Sequence, residues 1–282
     1  MTTLSKKIDF AIVFKVENAN PNGDPLGGNR PRTDFADIGE VTDVCLKRKI
    51  RNRLLDNGEF IFVQSDDYKK DDATSLKDRA DKAKTKSGQD LKSIKDDREY
   101  AQNACELWFD VRAFGQIFAF KGNKEKSGSG VSIGIRGPVS IQSAFSKESV
   151  DIVSTQITKS VNSESTETGK KSSDTMGTKH RIKHAVYVTY GAMNPQLAEK
   201  TGFSDNDAQK IKLVLPKLFE NDESAARPAG SIEVLKVIWW QHNSKLGQYS
   251  SAKVHKSLEV NNDGEIKFSE LEGLSPEIIE GY

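Results

Sequence analysis

The sequence lacks any apolar run approaching the roughly 18 residues that a membrane-spanning helix needs. Residues 1–7 also lack the apolar core of a secretory signal. Cysteine is scarce. Cys45 and Cys105 are too few for a disulfide framework, and both are expected to be reduced thiols. These absences lead to the expectation of a cytoplasmic protein with no membrane partner. Catalytic motifs are missing too: there is no P-loop, no G-x-S-x-G, no H-E-x-x-H and no Cys/His constellation. No catalytic residue, metal or cofactor is therefore assigned. Nor is there an excess of one charge sign. With 42 Lys and Arg against 41 Asp and Glu, the net charge of +1 gives no whole-molecule field to gather nucleic acid.

What is present is an ordinary globular composition, 35% hydrophobic and 29% charged over 282 residues, enough for a sizeable core in one large or two small domains. The charge is unevenly spread. Residues 121–183 hold 11 basic against 6 acidic side chains, whereas residues 204–282 hold 9 against 13. A basic middle and an acidic end would help copies align head to tail, or else the surface charge is simply uneven.

The chain is organised around residues 8–53. Residues 8–16 are continuously apolar and read as a strand central in a sheet. The loop 17–40 is long for a compact domain and crowded with Asn, Gly and Pro. Its Asn18, Asn20, Asn22 and Arg30 offer hydrogen-bond groups to bases, 2′-hydroxyls and phosphates. Thr42 or Asp43 can cap the next helix, in which Leu46, Ile50 and Leu54 form the buried stripe. Five of the seven residues 47–53 are basic. Lys47, Arg48, Arg51 and Asn52 are expected to point away from the stripe, and Lys47, Arg48, Lys49 and Arg51 are candidate phosphate contacts; a merely solvated face is the alternative. Asp24 and Asp34 in the loop can serve RNA cleavage or can make Asx turns. Residues 59–64 read as a second strand.

Residues 66–99 carry ten acidic and ten basic side chains, and predict a solvated helical insertion packing weakly on the core. Core character returns at 100–115, and 122–130 read as a flexible loop. Residues 131–142 alternate as a strand interrupted at Gly137-Pro138. A second insertion spans 145–183, with a polar centre at 160–178 expected to project as a mobile segment. Ser143 at its base is a candidate RNA contact. Phe145 and Met176 are apolar residues able to wedge against bases or to pack on the core. Lys179, His180, Arg181 and Lys183 form a second basic cluster at the base of this insertion, and Lys179, His180 and Arg181 are candidate RNA contacts. His180 and His184 would lie about 13 Å apart on a strand, too far to share one metal ion. A strand at 184–191, a helix at 204–221 and a strand at 231–240 follow. The run Asn262-Asp263-Gly264 signals a hairpin turn rather than a calcium loop. Without the insertions the order approaches βαββαβ: an α+β, ferredoxin-like antiparallel sheet with both helices on one face and the other face open for binding.

The runs Val16-Glu17-Asn18-Ala19-Asn20-Pro21-Asn22-Gly23-Asp24-Pro25, Gly28-Asn29-Arg30-Pro31-Arg32 and Val41-Thr42-Asp43-Val44-Cys45-Leu46-Lys47-Arg48-Lys49-Ile50-Arg51-Asn52 carry a family resemblance. So do Asp110-Val111-Arg112-Ala113-Phe114-Gly115, Arg136-Gly137-Pro138-Val139, Met176-Gly177-Thr178-Lys179-His180, Asn194-Pro195 and Thr201-Gly202-Phe203. The chain resembles, over about residues 10–240, the CRISPR-associated backbone subunit of the type I-C Cascade complex, in the RAMP superfamily. The resemblance implies a single modified RRM-like palm over 1–282, a helical fingers insertion at 65–107 and a thumb at 145–183. It implies copies that polymerise head to tail along a guide RNA (crRNA), which pairs with target DNA. The implied partners are other Cascade subunits and a recruited nuclease-helicase, with no cutting by the backbone itself. Two alternatives stand beside it: a metal-dependent ribonuclease backbone of type III kind using Asp24 or Asp34, and a stand-alone RNA-binding domain. The last forty residues show no signature.

Overall fold

The computed structural model describes residues 2–119, 132–158 and 176–282. The loop expected at 122–130 and residues 160–175 of the second insertion lie outside the described residues.

The first elements are β1 (Ile8–Ala19), the short strands β2 (Gly23–Asp24) and β3 (Arg30–Pro31), β4 (Ile38–Val41) and helix α1 (Asp43–Asp56). Next come α2 (Leu76–Lys82), a 3-10 turn at Leu91–Ser93, α3 (Asp97–Leu107), α4 (Phe109–Phe114) and the strands β5 (Gly115–Ala119) and β6 (Ser132–Arg136). Then follow β7 (Val139–Ile141), β8 (Ala144–Ser149), β9 (Ile152–Thr158) and the long β10 (Met176–Met193). The chain continues through α5 (Pro195–Thr201), α6 (Asp205–Val214), β11 (Ile232–Gln241), α7 (Ser251–Lys256), β12 (Leu258–Val260), β13 (Ile266–Phe268) and β14 (Glu277–Glu280).

This is a mixed α+β fold around one large antiparallel sheet. Its order is β14-β11-β1-β10-β8-β4, with β7 and β9 also paired to β10. The apolar β1 sits in the middle as its sequence requires, running Ile8 to Val16 against both β10 and β11. Alternation then sorts its side chains. Phe10, Ile12, Phe14 and Val16 face the main core with Leu46, Ile50 and Leu54 of α1 and Ala208 and Ile211 of α6. Thr42 caps α1, accepting from the Cys45 amide. Ser204 and Asp207 form a capping box at α6. Burial works to raise the Asp207 carboxyl, but hydrogen bonds and charge from Arg112, together with the Ser204 groups, hold it below the usual range.

Three expectations need correcting. Residues 59–64 are not a strand. Ile61 and Phe62 are buried, but the amides of Phe62 and Val63 donate to the buried Asp110 carboxylate, at 2.7 and 3.0 Å. A side chain takes the donors that a neighbouring strand would have taken. Second, the insertion does not pack weakly. Ala80 and Leu91 join Phe62, Tyr100, Trp108 and Phe118 in a core of their own, so the few apolar side chains of that charged stretch are spent on one cluster.

Third, the other face of the sheet is not open. Ala11, Val13, Val186, Val188, Ile238 and Trp240 are covered by Val254, Leu258, Val260 and Leu274 from the final segment. That segment contains the expected hairpin, with Val260 opposite Ile266. It is anchored at the start of β1 by the fully buried Asp9. His242 Nε2 lies 2.8 Å and Lys7 Nζ 3.1 Å from Asp9 Oδ2, with His255 Nε2 3.3 Å from Oδ1. Burial alone would raise this carboxyl; hydrogen bonds from His255, Ser251 and His242 and the charge of Lys7 outweigh it and hold it well below the ordinary range.

Two of the motif glycines have a steric reason. Gly115 has φ +82°, and a Cβ there would stand 2.2 Å from the Ile135 carbonyl oxygen; at Gly137 it would stand 2.4 Å from the Ala113 oxygen. The β5–β6 ribbon crosses the end of α4 too closely for any side chain at either position.

Candidate nucleic-acid interface

The basic helix does not present a cationic face. All five cations are engaged with carboxylates. Lys47 Nζ lies 3.0 Å from Asp43, Arg51 Nε 2.9 Å from Asp110, and Arg53 Nη2 2.9 Å from Asp56. Lys49, whose side chain is wholly buried, pairs with Asp222, to which Arg48 also reaches at 3.6 Å. Burial pushes the Lys49 ammonium down, against the opposing pull of Cys45 and Asp222. Asn52 is buried as well. Lys49 thus loses its standing as a phosphate contact, because a phosphate would have to displace a buried carboxylate; Arg51 is held by Asp110 beneath the Phe114 ring. Lys47 and Arg48 remain half exposed.

The loop and the second insertion do meet. β10 outruns β1: residues 176–181 extend past the last pair, Ala19 with Ile182, and pair with β9 to form a two-stranded arm. At its base lies a cleft of about 290 Å³. Asn18, Asn20 and Asn29 line one side, residues 178–181 of the arm another, and Ala225, Ala226 and Pro228 a third. Lys179 and Arg181 are exposed and have no carboxylate partner among the described residues. His180 Nδ1 lies 2.8 Å from Ser154 Oγ, which also receives Arg30 Nη1 at 3.4 Å.

Turn chemistry shapes the loop side. Asn18 and Asn29 take φ of +50° and +61°, a region that Asn tolerates better than most residues. The buried Asn20 donates through Nδ2 to the Asn29 carbonyl at 2.6 Å, and its own amide donates to the Ala226 carbonyl at 2.9 Å. Asn20 Oδ1 finds no hydrogen-bond partner among the described residues. Asn22 is not part of the cleft: its Oδ1 accepts from the amide and hydroxyl of Thr42, both at 3.0 Å, and so locks the loop to the α1 cap. Ser143 accepts from the Asp43 amide at 3.3 Å. Phe145 on β8 and Met176 on the arm are both exposed, as are Leu26 and Phe35 in the loop.

Asp24 and Asp34 are turn residues. Asp24 Oδ1 accepts from Leu26 N at 3.2 Å and lies 3.3 Å from Arg32 Nη2. Asp34 Oδ1 accepts from the amides of Ala36 and Ile38, at 2.8 and 2.9 Å. Sequence reasoning missed Asn29, Ser154 and the wall at 225–228. A Gly-Asn turn pair signals the first. No local pattern signals the others, because Ser154 matters through its cross-strand neighbour and the wall through its backbone.

Residues 6–274 match the family described as CRISPR-associated protein Cas7. The chain belongs to the Cas7 family. It is 25% identical to a CRISPR-associated protein Cas7 of Haloferax volcanii, across 99% of this chain and 82% of that relative. Among solved structures, a chain of a CRISPR RNA-guided surveillance complex in a pre-nicking state aligns with a TM-score of 0.49 at 14% identity, covering 83% of this chain and 75% of the other. A chain of a Type III-B Cmr-beta complex bound to cognate target RNA aligns with a TM-score of 0.41 at 12% identity, covering 82% and 60%.

Proposed function

We propose that this chain is the guide-RNA-binding backbone subunit of a type I-C Cascade complex, working in the cytoplasm. Copies polymerise head to tail along the crRNA and present it for pairing with target DNA, so that base pairing reads sequence while protein holds the RNA backbone. Membership of the Cas7 family supports the class. The observation that carries the reading is the cleft, where the Asn-rich loop and the arm's Lys179, His180 and Arg181, some 160 residues apart in sequence, line one space. Amides on one side and exposed cations on the other suit a ribose-phosphate chain.

The central strand order β11-β1-β10-β8, with α1 and α6 on one face, supports an RRM-like palm spanning 1–282. Residues 65–107, with their separate core, would be its fingers, and residues 145–183, including the arm, its thumb. Exposed Phe145 and Met176 are proposed to meet bases beside the backbone contacts. Other Cascade subunits and a recruited nuclease-helicase would act on the assembly. The subunit itself is read as non-catalytic, since Asp24 and Asp34 are both committed to turns and Asp24 also to Arg32.

The test is a salt titration of single-stranded RNA binding, followed by fluorescence anisotropy. Lys179→Glu/Arg181→Glu should weaken binding at least about 10-fold at physiological salt. It should also flatten the slope of log K against log salt by about 0.7 for each phosphate that is no longer neutralised. Binding and slope equal to wild type would remove the cleft from the account.

A further inference from the structure

The residues that form the third wall of the cleft, Ala225, Ala226 and Pro228, carry no charged or amide side chain, and the neighbouring Arg227 is turned to Asp222. Its Nε lies 2.8 Å from Asp222 Oδ2 and donates to the Asp222 carbonyl at 3.2 Å. The wall is a tight turn. Ser224 and Arg227 exchange backbone hydrogen bonds, at 2.9 and 3.0 Å, and Asn221 enters it at φ +52°. A backbone hydrogen bond passes from this turn to the loop side: the Ala226 carbonyl accepts the Asn20 amide. Beneath the turn, the largely buried Asp222 carboxylate meets the fully buried Lys49 of α1.

We propose that Asp222 is the positioning residue of the cleft: held by buried Lys49 and by Arg227, it seats the 222–228 turn on α1 so that the Ala226 carbonyl fixes the backbone of Asn20, and Lys49 serves RNA binding through this chain of contacts rather than by touching a phosphate. This inference rests on the reading of the cleft as the RNA site. The physical reason is the asymmetry of buried pairs. Losing Asp222 leaves the buried Lys49 charge desolvated and unpaired. Losing Lys49 takes from Asp222 its fully buried partner and leaves it Arg227 and the more distant Arg48; in either case the surrounding backbone must readjust. The turn is the backbone that carries both Asp222 and Arg227, and Asn20 is hydrogen-bonded to it.

The experiment compares wild type, Asp222→Asn, Lys49→Met and the double variant by RNA anisotropy across a salt series, with amide hydrogen exchange on the RNA-free proteins. Asp222→Asn and Lys49→Met should each weaken binding, by roughly 10-fold, with the salt slope unchanged. The double variant should be no worse than Asp222→Asn alone, since that change already breaks the Lys49 pair together with the Arg227 contact. Exchange at the Asn20 amide should accelerate while amides within β1 stay protected. Should Asp222→Asn fail to fold, Arg227→Gln, which leaves the Lys49 pair intact, should still give faster Asn20 exchange and weaker binding. A folded Asp222→Asn that binds as wild type, or a Lys49→Met slope flatter by about 0.7, would overturn the proposal; the second outcome would make Lys49 a direct phosphate contact. Failure of the wild type to bind RNA would instead defeat the RNA reading of the cleft, and unchanged Asn20 exchange would defeat the positioning role whether or not RNA binds.

Discussion

At the scale of single residues, burial reverses what composition suggests. Lys47, Arg48, Lys49, Arg51 and Arg53 look interchangeable in the sequence, yet Lys49 is fully buried and its partner, Asp222, lies 173 residues away. No local pattern encodes such a partner. The helix stripe of Leu46, Ile50 and Leu54 was legible because it follows from a 3.6-residue period; the fate of the cations between them was not. Asp110 makes the same point. It stood out as part of a motif, and the structure shows what its carboxylate does: it accepts from the amides of Phe62 and Val63 and from the Arg51 guanidinium. Asp110→Ala removes the acceptor of all three donors inside the protein. It should cost about 3–5 kcal/mol of unfolding free energy, read as a drop in the urea midpoint. A loss below about 1 kcal/mol would show that water replaces it at little cost.

At the scale of elements, strands set by continuous or alternating apolar residues were legible: β1 and β11 fall where periodicity places them. β10 contains the strand expected at 184–191 but begins earlier, at Met176, because its polar start is ordered by pairing with β9 rather than by apolar alternation. The Asn-Asp-Gly hairpin was legible too. The failures came where long-range company decides. Residues 59–64 have strand composition but meet a carboxylate instead of a neighbouring strand. The last forty residues carry no signature, yet they close a sheet face that an RRM-like order would leave open. Their apolar side chains are spread thinly through polar sequence and acquire meaning against Val13, Val188 and Trp240. Val254, fully buried on that face, tests the point. Val254→Asp should destabilise the protein by about 3 kcal/mol or more and expose a dye-binding apolar surface before global melting, because an unpaired charge cannot stay in that layer. Wild-type melting would mean that the cover is loosely docked and the face is available after all.

At the scale of the whole molecule, the near-zero net charge hides a division of labour. The exposed cations Lys179 and Arg181 stand on an arm that leaves the sheet, while the acidic final third holds carboxylates that neutralise cations elsewhere, as Asp222 does for Lys49 and Arg227 and Asp207 for Arg112. The candidate site was half legible: Asn18, Asn20 and residues 179–181 were identified separately, but their meeting depends on the register of β10 on β1. Under the proposed head-to-tail assembly, each copy would bring one such cleft, at the base of its arm, to the RNA. The most direct measurement is therefore a stoichiometry. Wild type and Lys179→Glu/Arg181→Glu are mixed with guide RNAs of increasing length, and the complexes are weighed by native mass spectrometry. The account predicts that wild-type copies rise in regular steps with RNA length and that the double reversal abolishes the series. A single copy at every length, or a series indifferent to the reversal, would contradict it.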